Sequence, residues 1–218
     1  MNVLVKVLEV KINYESIRKK VRDAAQLKGR PIARKKAYNL FYRAKAKMLR
    51  RFDEDLITLE IAAGPSYGVA NISGTLDGYG NLFSFLGFER SDKPIEAMRS
   101  LLDAATRWEG EPVFDGKSWL YRIFQPTREE LANTTKLEWT STPWIDFIEH
   151  GAPNINYYLN LKKADKSGLS RSKYGFQVAE EVNEDLDFKS RDYITDRILK
   201  NFRETINGSS IQNDNQQE

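Results

Sequence analysis

Apolar positions along the chain change their spacing several times, and each change marks a predicted element. Residues 3–12 alternate loosely, with Val3, Val5, Val7 and Ile12 set against Lys6 and Lys11, which predicts a strand or an irregular arm. From Tyr14 the interval lengthens. Ile17, Val21, Ala24, Ala25 and Leu27 recur every three or four residues until Gly29, Arg30 and Pro31 interrupt, so a first helix is predicted there. A second helix is predicted to start at Pro31, whose fixed φ suits a first helical position. Ala37, Leu40, Phe41, Ala44, Met48 and Phe52 form its apolar stripe.

In "FDEDLITLEIAAG", residues 52–64, Ile57, Leu59 and Ile61 alternate with Thr58 and Glu60 before Gly64-Pro65, which predicts a strand. Two more strands are predicted over Val69–Leu76 and Asn81–Phe88, joined by a turn at Asp77-Gly78. Leu82, Phe83, Phe85, Leu86 and Phe88 make the second of them apolar on both faces, so they are expected in the core or at a subunit contact. A helix capped by Ser91 or Asp92 follows, with Ile95, Met98, Leu101, Leu102 and Ala105 on one face and Trp108 and Gly110 closing it. "PVFDGKSWLYRIF" predicts a hairpin around Asp115-Gly116. Then come a short helical turn at Thr127–Ala132, a candidate strand at Lys136–Trp139, and a helix in "TPWIDFIEHG" with Thr142 as cap and Pro143 at its first position. Residues 162–175 are small and polar, the composition of an exposed loop. Phe188, Ile194, Ile198 and Phe202 give the last helix, 188–206, its period.

The order of elements predicts an α+β fold: a small, largely antiparallel sheet packed by helices, with a basic N-terminal helical segment. Residues 1–52 form the arm and basic helices, 53–206 the α+β core domain, and 207–218 a disordered or clasping tail.

Charge sharpens this division. The formal net charge of the 218 residues is only +3, yet residues 15–51 hold fourteen Lys or Arg against two acids, and everything after residue 51 is correspondingly acidic. An asymmetry of that size points to an oriented contact, either with nucleic acid or between the basic face of one subunit and the acidic body of a neighbour. The candidate contact residues on the second helix are Arg34, Lys35, Lys36, Arg43, Lys45, Lys47, Arg50 and Arg51, interleaved with Tyr38, Phe41 and Tyr42. No helix-turn-helix, zinc-finger or RNA-binding-sheet signature accompanies them, so any DNA contact is expected to be with the backbone and independent of sequence. No cysteine is present, which excludes disulfides, thiolate metal sites and cysteine nucleophiles and fits a reducing compartment. No stretch reaches the length of a membrane span, and the N-terminus lacks a signal-peptide pattern, so a soluble, unexported chain is expected.

Several motifs invite a catalytic reading and fail on spacing. Gly74, Gly78 and Gly80 do not have the spacing of a dinucleotide fingerprint, and "GKS" at 116–118 lacks both the preceding glycine of a phosphate loop and the helix that must follow it. His150 is the single histidine and sits beside Glu149 at a helix end, where a positive side chain complements the helix dipole; a hydrolytic role with Glu149 is the alternative. The acids at 53–55 and Glu180, Glu181, Glu184, Asp185 and Asp187 match no calcium-loop spacing. No catalytic, metal or cofactor site is therefore expected. The sequons at Asn71, Asn133 and Asn207 carry no weight in an unexported chain.

Four segments, "FDEDLITLEIAAG", "NISGTLDGYGNLFSFLGFERSDKPIEAMRSLL", "TPWIDFIEHG" and "SRSKYGFQV", in that order, span most of residues 50–180. Together they resemble the neck and tail-completion proteins of long-tailed, especially contractile-tailed, bacteriophages. In that family a basic N-terminal helix precedes a small α+β domain, a Trp-containing helix ends in an acidic residue and glycine, and a Ser-Arg-Ser loop leads to the last strand. The resemblance implies a non-enzymatic virion protein, assembled in the host cytoplasm, that forms a homo-oligomeric ring at the head–tail junction, typically sixfold. The implied partners are other copies of itself, adjacent neck, tail-tube or sheath proteins, and genomic DNA by non-specific contact, with no membrane. Arg171 and Lys173 in the Ser-Arg-Ser loop are the implied loop contacts. Tail terminator and head–tail connector both fit. The first residues and the chain after Asn207 lie outside the resemblance.

Overall fold

The computed structural model describes residues 14–65, 72–76, 81–115, 118–137, 142–151 and 188–211. The predicted strand or arm at 3–12, the turn at Asp77-Gly78, the loop 162–175 with Arg171 and Lys173, and the tail from 212 onward lie outside those residues. The architecture is α+β: helices pack around one core and carry a single two-stranded antiparallel sheet.

The two N-terminal helices are one. α1 runs unbroken over Tyr14–Asp53 with Pro31 inside it. Pro31 removes the bond to the Leu27 carbonyl and costs about 3 kcal/mol relative to alanine. Helical phase survives because Arg30 and Arg34, one turn apart on either side of the proline, converge on one carboxylate, Glu111, at 2.7 and 3.3 Å.

Residues 55–64 are helical rather than extended. α2 is Leu56–Ala62, capped by Asp55, whose carboxylate accepts from the Ile57 N–H at 3.0 Å. The alternation of Ile57, Leu59 and Ile61 is misleading, because Ile57 and Ile61 are one helical turn apart and buried while Leu59 faces solvent. Thr58 and Glu60, read from the alternation as the polar face of a strand, are buried as well.

The predicted strand over 69–76 is, in its described part, a turn over residues 72–76. The predicted strand over 81–88 is α3, Leu82–Phe85. The Asn81 side chain caps it by accepting from the Ser84 N–H at 3.1 Å. Its end is a Schellman closure: Gly87 at φ +74° donates to the Ser84 carbonyl, Phe88 donates to the Phe83 carbonyl, and the two phenyl rings meet at 5.3 Å. An apolar run covered on both sides is equally compatible with a short buried helix, and here the caps decide it.

α4 is Pro94–Ala105, with Met98, Leu102 and Ala105 buried as its period requires. It begins at Lys93-Pro94; Asp92 instead accepts from the Glu89 N–H at 2.7 Å, and Trp108 belongs to the following strand. β1 (Arg107–Phe114) and β2 (Trp119–Phe124) form the predicted hairpin, in which the Asp115 carboxylate accepts from the Ser118 N–H at 2.7 Å. The sheet is smaller than the sequence pattern implies, because the other three candidate strands are α2, a turn and α3 where described. α5 is Arg128–Thr134, opened by a capping box between Thr127 and Glu130, and α6 is Trp144–His150, with Pro143 rather than Thr142 as the cap residue. Lys136 and Leu137 are irregular where a strand was predicted. The last helix starts later than expected, as a π-helical segment, Ile194–Leu199, running into α7, Lys200–Ile211.

A line of ring contacts runs through the core from Phe83 to Phe88, Trp144, Tyr193 and Phe52. Phe41, Ala44, Met48 and Phe52 of α1 belong to this same core, so the end of the basic helix is inseparable from the body. Tyr193 is fully buried; burial holds its phenol far above its usual range, and its hydroxyl is bonded to the Thr58 hydroxyl at 2.7 Å.

Candidate interaction surface

Anchoring of α1 is confined to one end. Residues 41–52 enter the core, whereas none of the described side chains over 15–40 is buried. Ile17, Val21, Leu27 and Ile32 are 49, 63, 76 and 62% exposed, although their spacing is that of an apolar stripe. Residues 14–40 amount to about 40 Å of helix. Its visible support is the hairpin, which lies beside residues 29–42: Trp119 approaches Gly29, Glu111 clamps Arg30 and Arg34, and Trp108 meets Tyr38 and Phe41.

Glu111 reaches α1 because β1 bulges. Glu109 pairs with Arg122 and Val113 with Leu120, so Gly110, Glu111 and Pro112 face a single residue of β2, and Gly110 takes φ +73° to make the bend. The Arg30 and Arg34 guanidinium groups hold the Glu111 carboxyl below its usual range. On the far side of the hairpin Val113 and Leu120, directly paired, and Phe124, under the Arg107 guanidinium at 4.9 Å, are exposed.

The eight basic residues singled out in the sequence divide by use. Arg34 is spent on Glu111. Lys45 is mostly covered, its ammonium donating to the Asp103 backbone carbonyl at 2.5 Å and lying 2.7 Å from its carboxylate, which ties α1 to α4. Lys35, Lys36, Arg43, Lys47, Arg50 and Arg51 are exposed and make no ion pair among the described residues. Lys36, Arg43, Lys47 and Arg50 fall at spacings of seven, four and three, so they share one flank of the helix as a cationic stripe; Lys35 and Arg51 lie off it. Tyr38 and Tyr42 are half exposed beside this segment with ring centroids 4.3 Å apart.

Leu82, Phe83, Leu86 and Phe88 are buried and Phe85 is half-buried against Phe188, so this set is core. Both oxygens of Glu149 are taken by Thr195: one accepts from its N–H at 2.7 Å and the other from its hydroxyl, so the carboxylate holds the first turn of the π-helical segment. Burial pushes its carboxyl up. His150 is exposed, with Nδ1 3.7 Å from the Asp146 carboxylate.

The largest open cavity is a groove of about 760 Å³ between the end of α2 and the start of α4. Ile61, Ala62, Ala63, Pro65, Phe83 and Ile95 line it, and Asp92, Glu96, Arg90 and Lys93 rim it. Its position relative to the free end of α1 follows from two ion pairs. Lys45 meets Asp103 and Asp53 meets Arg99 at 2.8 Å, so α4 runs antiparallel to α1, and its N-terminus extends beyond the C-terminus of α1. Groove and free helix end are therefore at opposite poles. The sequence reading missed two parts of this surface. The stripe at 17–32 was legible as a pattern but assigned to packing, and the role of Glu111 depends on a bulge signalled only by Gly110 and Pro112.

Among the described residues no helix is long and apolar enough to cross a membrane, and no group of three or more His, Asp or Glu is placed to hold a metal ion. No protein-family model, no curated protein and no solved structure matches this chain.

Proposed function

We propose that the chain is a non-enzymatic structural protein of a long-tailed bacteriophage virion, forming a homo-oligomeric ring at the neck that completes or terminates the tail and joins it to the head. The observation that carries this reading is the open half of α1: large apolar side chains stand in solvent on the basic pole of an otherwise acidic chain, which is the surface of a protein made to be covered by another. The resemblance of residues 50–180 to neck and tail-completion proteins supplies the setting. Electron microscopy of purified virions, with the chain identified by mass, is expected to place a ring of it at the head–tail junction. Particles containing no copy of the chain would refute the reading.

The cationic stripe of Lys36, Arg43, Lys47 and Arg50 favours a second role, backbone contact with the genome as it passes the neck. DNA retention that weakens with salt, and weakens further when Arg43, Lys47 and Arg50 are neutralised, is the expected result. Retention unchanged by the triple variant would remove this role.

A further inference from the structure

We infer that the open half of α1 is an insertion arm that seats in the α2–α4 groove of a second copy of this chain, joining copies head to tail. The inference deepens the assembly reading and rests on it for its biological setting. Its physical basis is independent of that setting.

Three observations carry it. Ile17, Val21 and Ala24, at i, i+4 and i+7, are the anchor spacing of a helix laid into an apolar groove, and the two large side chains are exposed. The groove between α2 and α4 is open, floored by apolar side chains, and long enough in its lining to take two turns of helix. Finally, the charges match in sign: residues 14–40 carry nine Lys or Arg against two acids, while the chain after residue 51 is acidic and places Glu89, Asp92 and Glu96 around the start of α4. An arm at one pole and a receiving groove at the other cannot satisfy each other within one copy. They form a heterologous contact, in which each copy gives its arm to the next and receives one from the last, and such contacts close into rings when the rotation between copies allows.

The absence of cysteine makes the test direct, because any thiol introduced is the only one in its chain. Full-length Val21→Cys and Ile95→Cys chains, mixed and oxidised, are expected to give a disulfide-linked dimer that a mixture of Val21→Cys with Lys200→Cys does not give. Val21 and Lys200 are exposed and Ile95 is half-buried at the groove rim, so none of these changes threatens the core. A paired Ile17→Ser and Val21→Ser variant is expected to lose about tenfold or more in self-association, measured by sedimentation.

Failure of the Val21–Ile95 cross-link, or self-association untouched by the paired serine variant, would overturn the arm-in-groove contact. Either result would leave the virion reading standing if particles still contain the chain. A specific cross-link in a chain missing from virions would do the reverse. Loss of DNA retention in the serine variant without loss of self-association would reassign the arm to nucleic acid and also overturn the inference.

Discussion

Replacing Glu60 is expected to destabilise the fold more than any other single change to a charged residue in α2. Glu60 is fully buried in the middle of α2, and its two oxygens accept from two backbone N–H groups of different segments, Ser73 and Leu82, each at 2.9 Å. The first fixes the turn at 72–76 and the second fixes the first residue of α3. A hydrogen bond from a neutral donor to a charged acceptor contributes about 1.5–3 kcal/mol. Glu60→Ala orphans both amides and opens a cavity, partly offset by no longer burying a charge, for a net loss of about 3–5 kcal/mol. Glu60→Gln keeps one acceptor and turns an NH2 toward the other amide, so about 1.5–3 kcal/mol is expected. Denaturant titration of both variants, with exposed Leu59→Ala as a control expected to stay within about 0.5 kcal/mol, gives the order Ala, then Gln, then control. Amide exchange should locate the loss at Ser73 and Leu82. If Glu60→Ala unfolds within about 0.5 kcal/mol of the unaltered chain, the carboxylate does not hold these segments and the reasoning fails.

Three further outcomes are expected. Gly87→Ala places a Cβ at φ +74° in the closure of α3 and should cost about 1–2 kcal/mol in denaturant titration, whereas Gly208→Ala, in open space on α7, should not. Pro31→Ala restores the bond to the Leu27 carbonyl, so amides over 15–30 should exchange more slowly while global unfolding is unchanged; equal exchange would show that the proline does not weaken α1 locally. Glu149 is held above its ordinary range by burial, so the folded state keeps a proton that the unfolded chain has released, and its contribution to stability is lost as pH rises through the elevated value. Melting at about pH 5 and about pH 8 should show a smaller drop for Glu149→Gln than for the unaltered chain, and an identical drop would refute that assignment.

What could be read from the sequence was what local chemistry encodes without ambiguity. α4 announced itself by an apolar period of three and four, and the hairpin by Asp115-Gly116 between two aromatic runs. The errors cluster where a period of two and a period of 3.6 coincide over a short apolar run. Residues 57–61 and 82–88 both read as strands, and in both the deciding information was at the ends: Asp55 and Gly64 around α2, Asn81 and Gly87 around α3. Pro31 was read as a boundary because a proline usually is one. Its neighbours Arg30 and Arg34 hold the turn through Glu111, a contact 77 and 81 residues away that no window contains. The basic residues were found correctly as a set, but their division into paired and open members needed the bulge that aims Glu111 and the antiparallel run of α4.

The continuity of α1 has a mechanical consequence. Forty residues make a rod of about 60 Å, clamped over its final third by the core and by the ion pairs to α4. A rod held that way is a lever with roughly two parts free for each part fixed, so a small rotation of the body sweeps the tip through twice the displacement felt at the clamp. The missing bond at Pro31 puts the compliant point partway along the free part, beside the hairpin that braces it. Load applied at the tip would therefore bend the rod there before it disturbed the aromatic core.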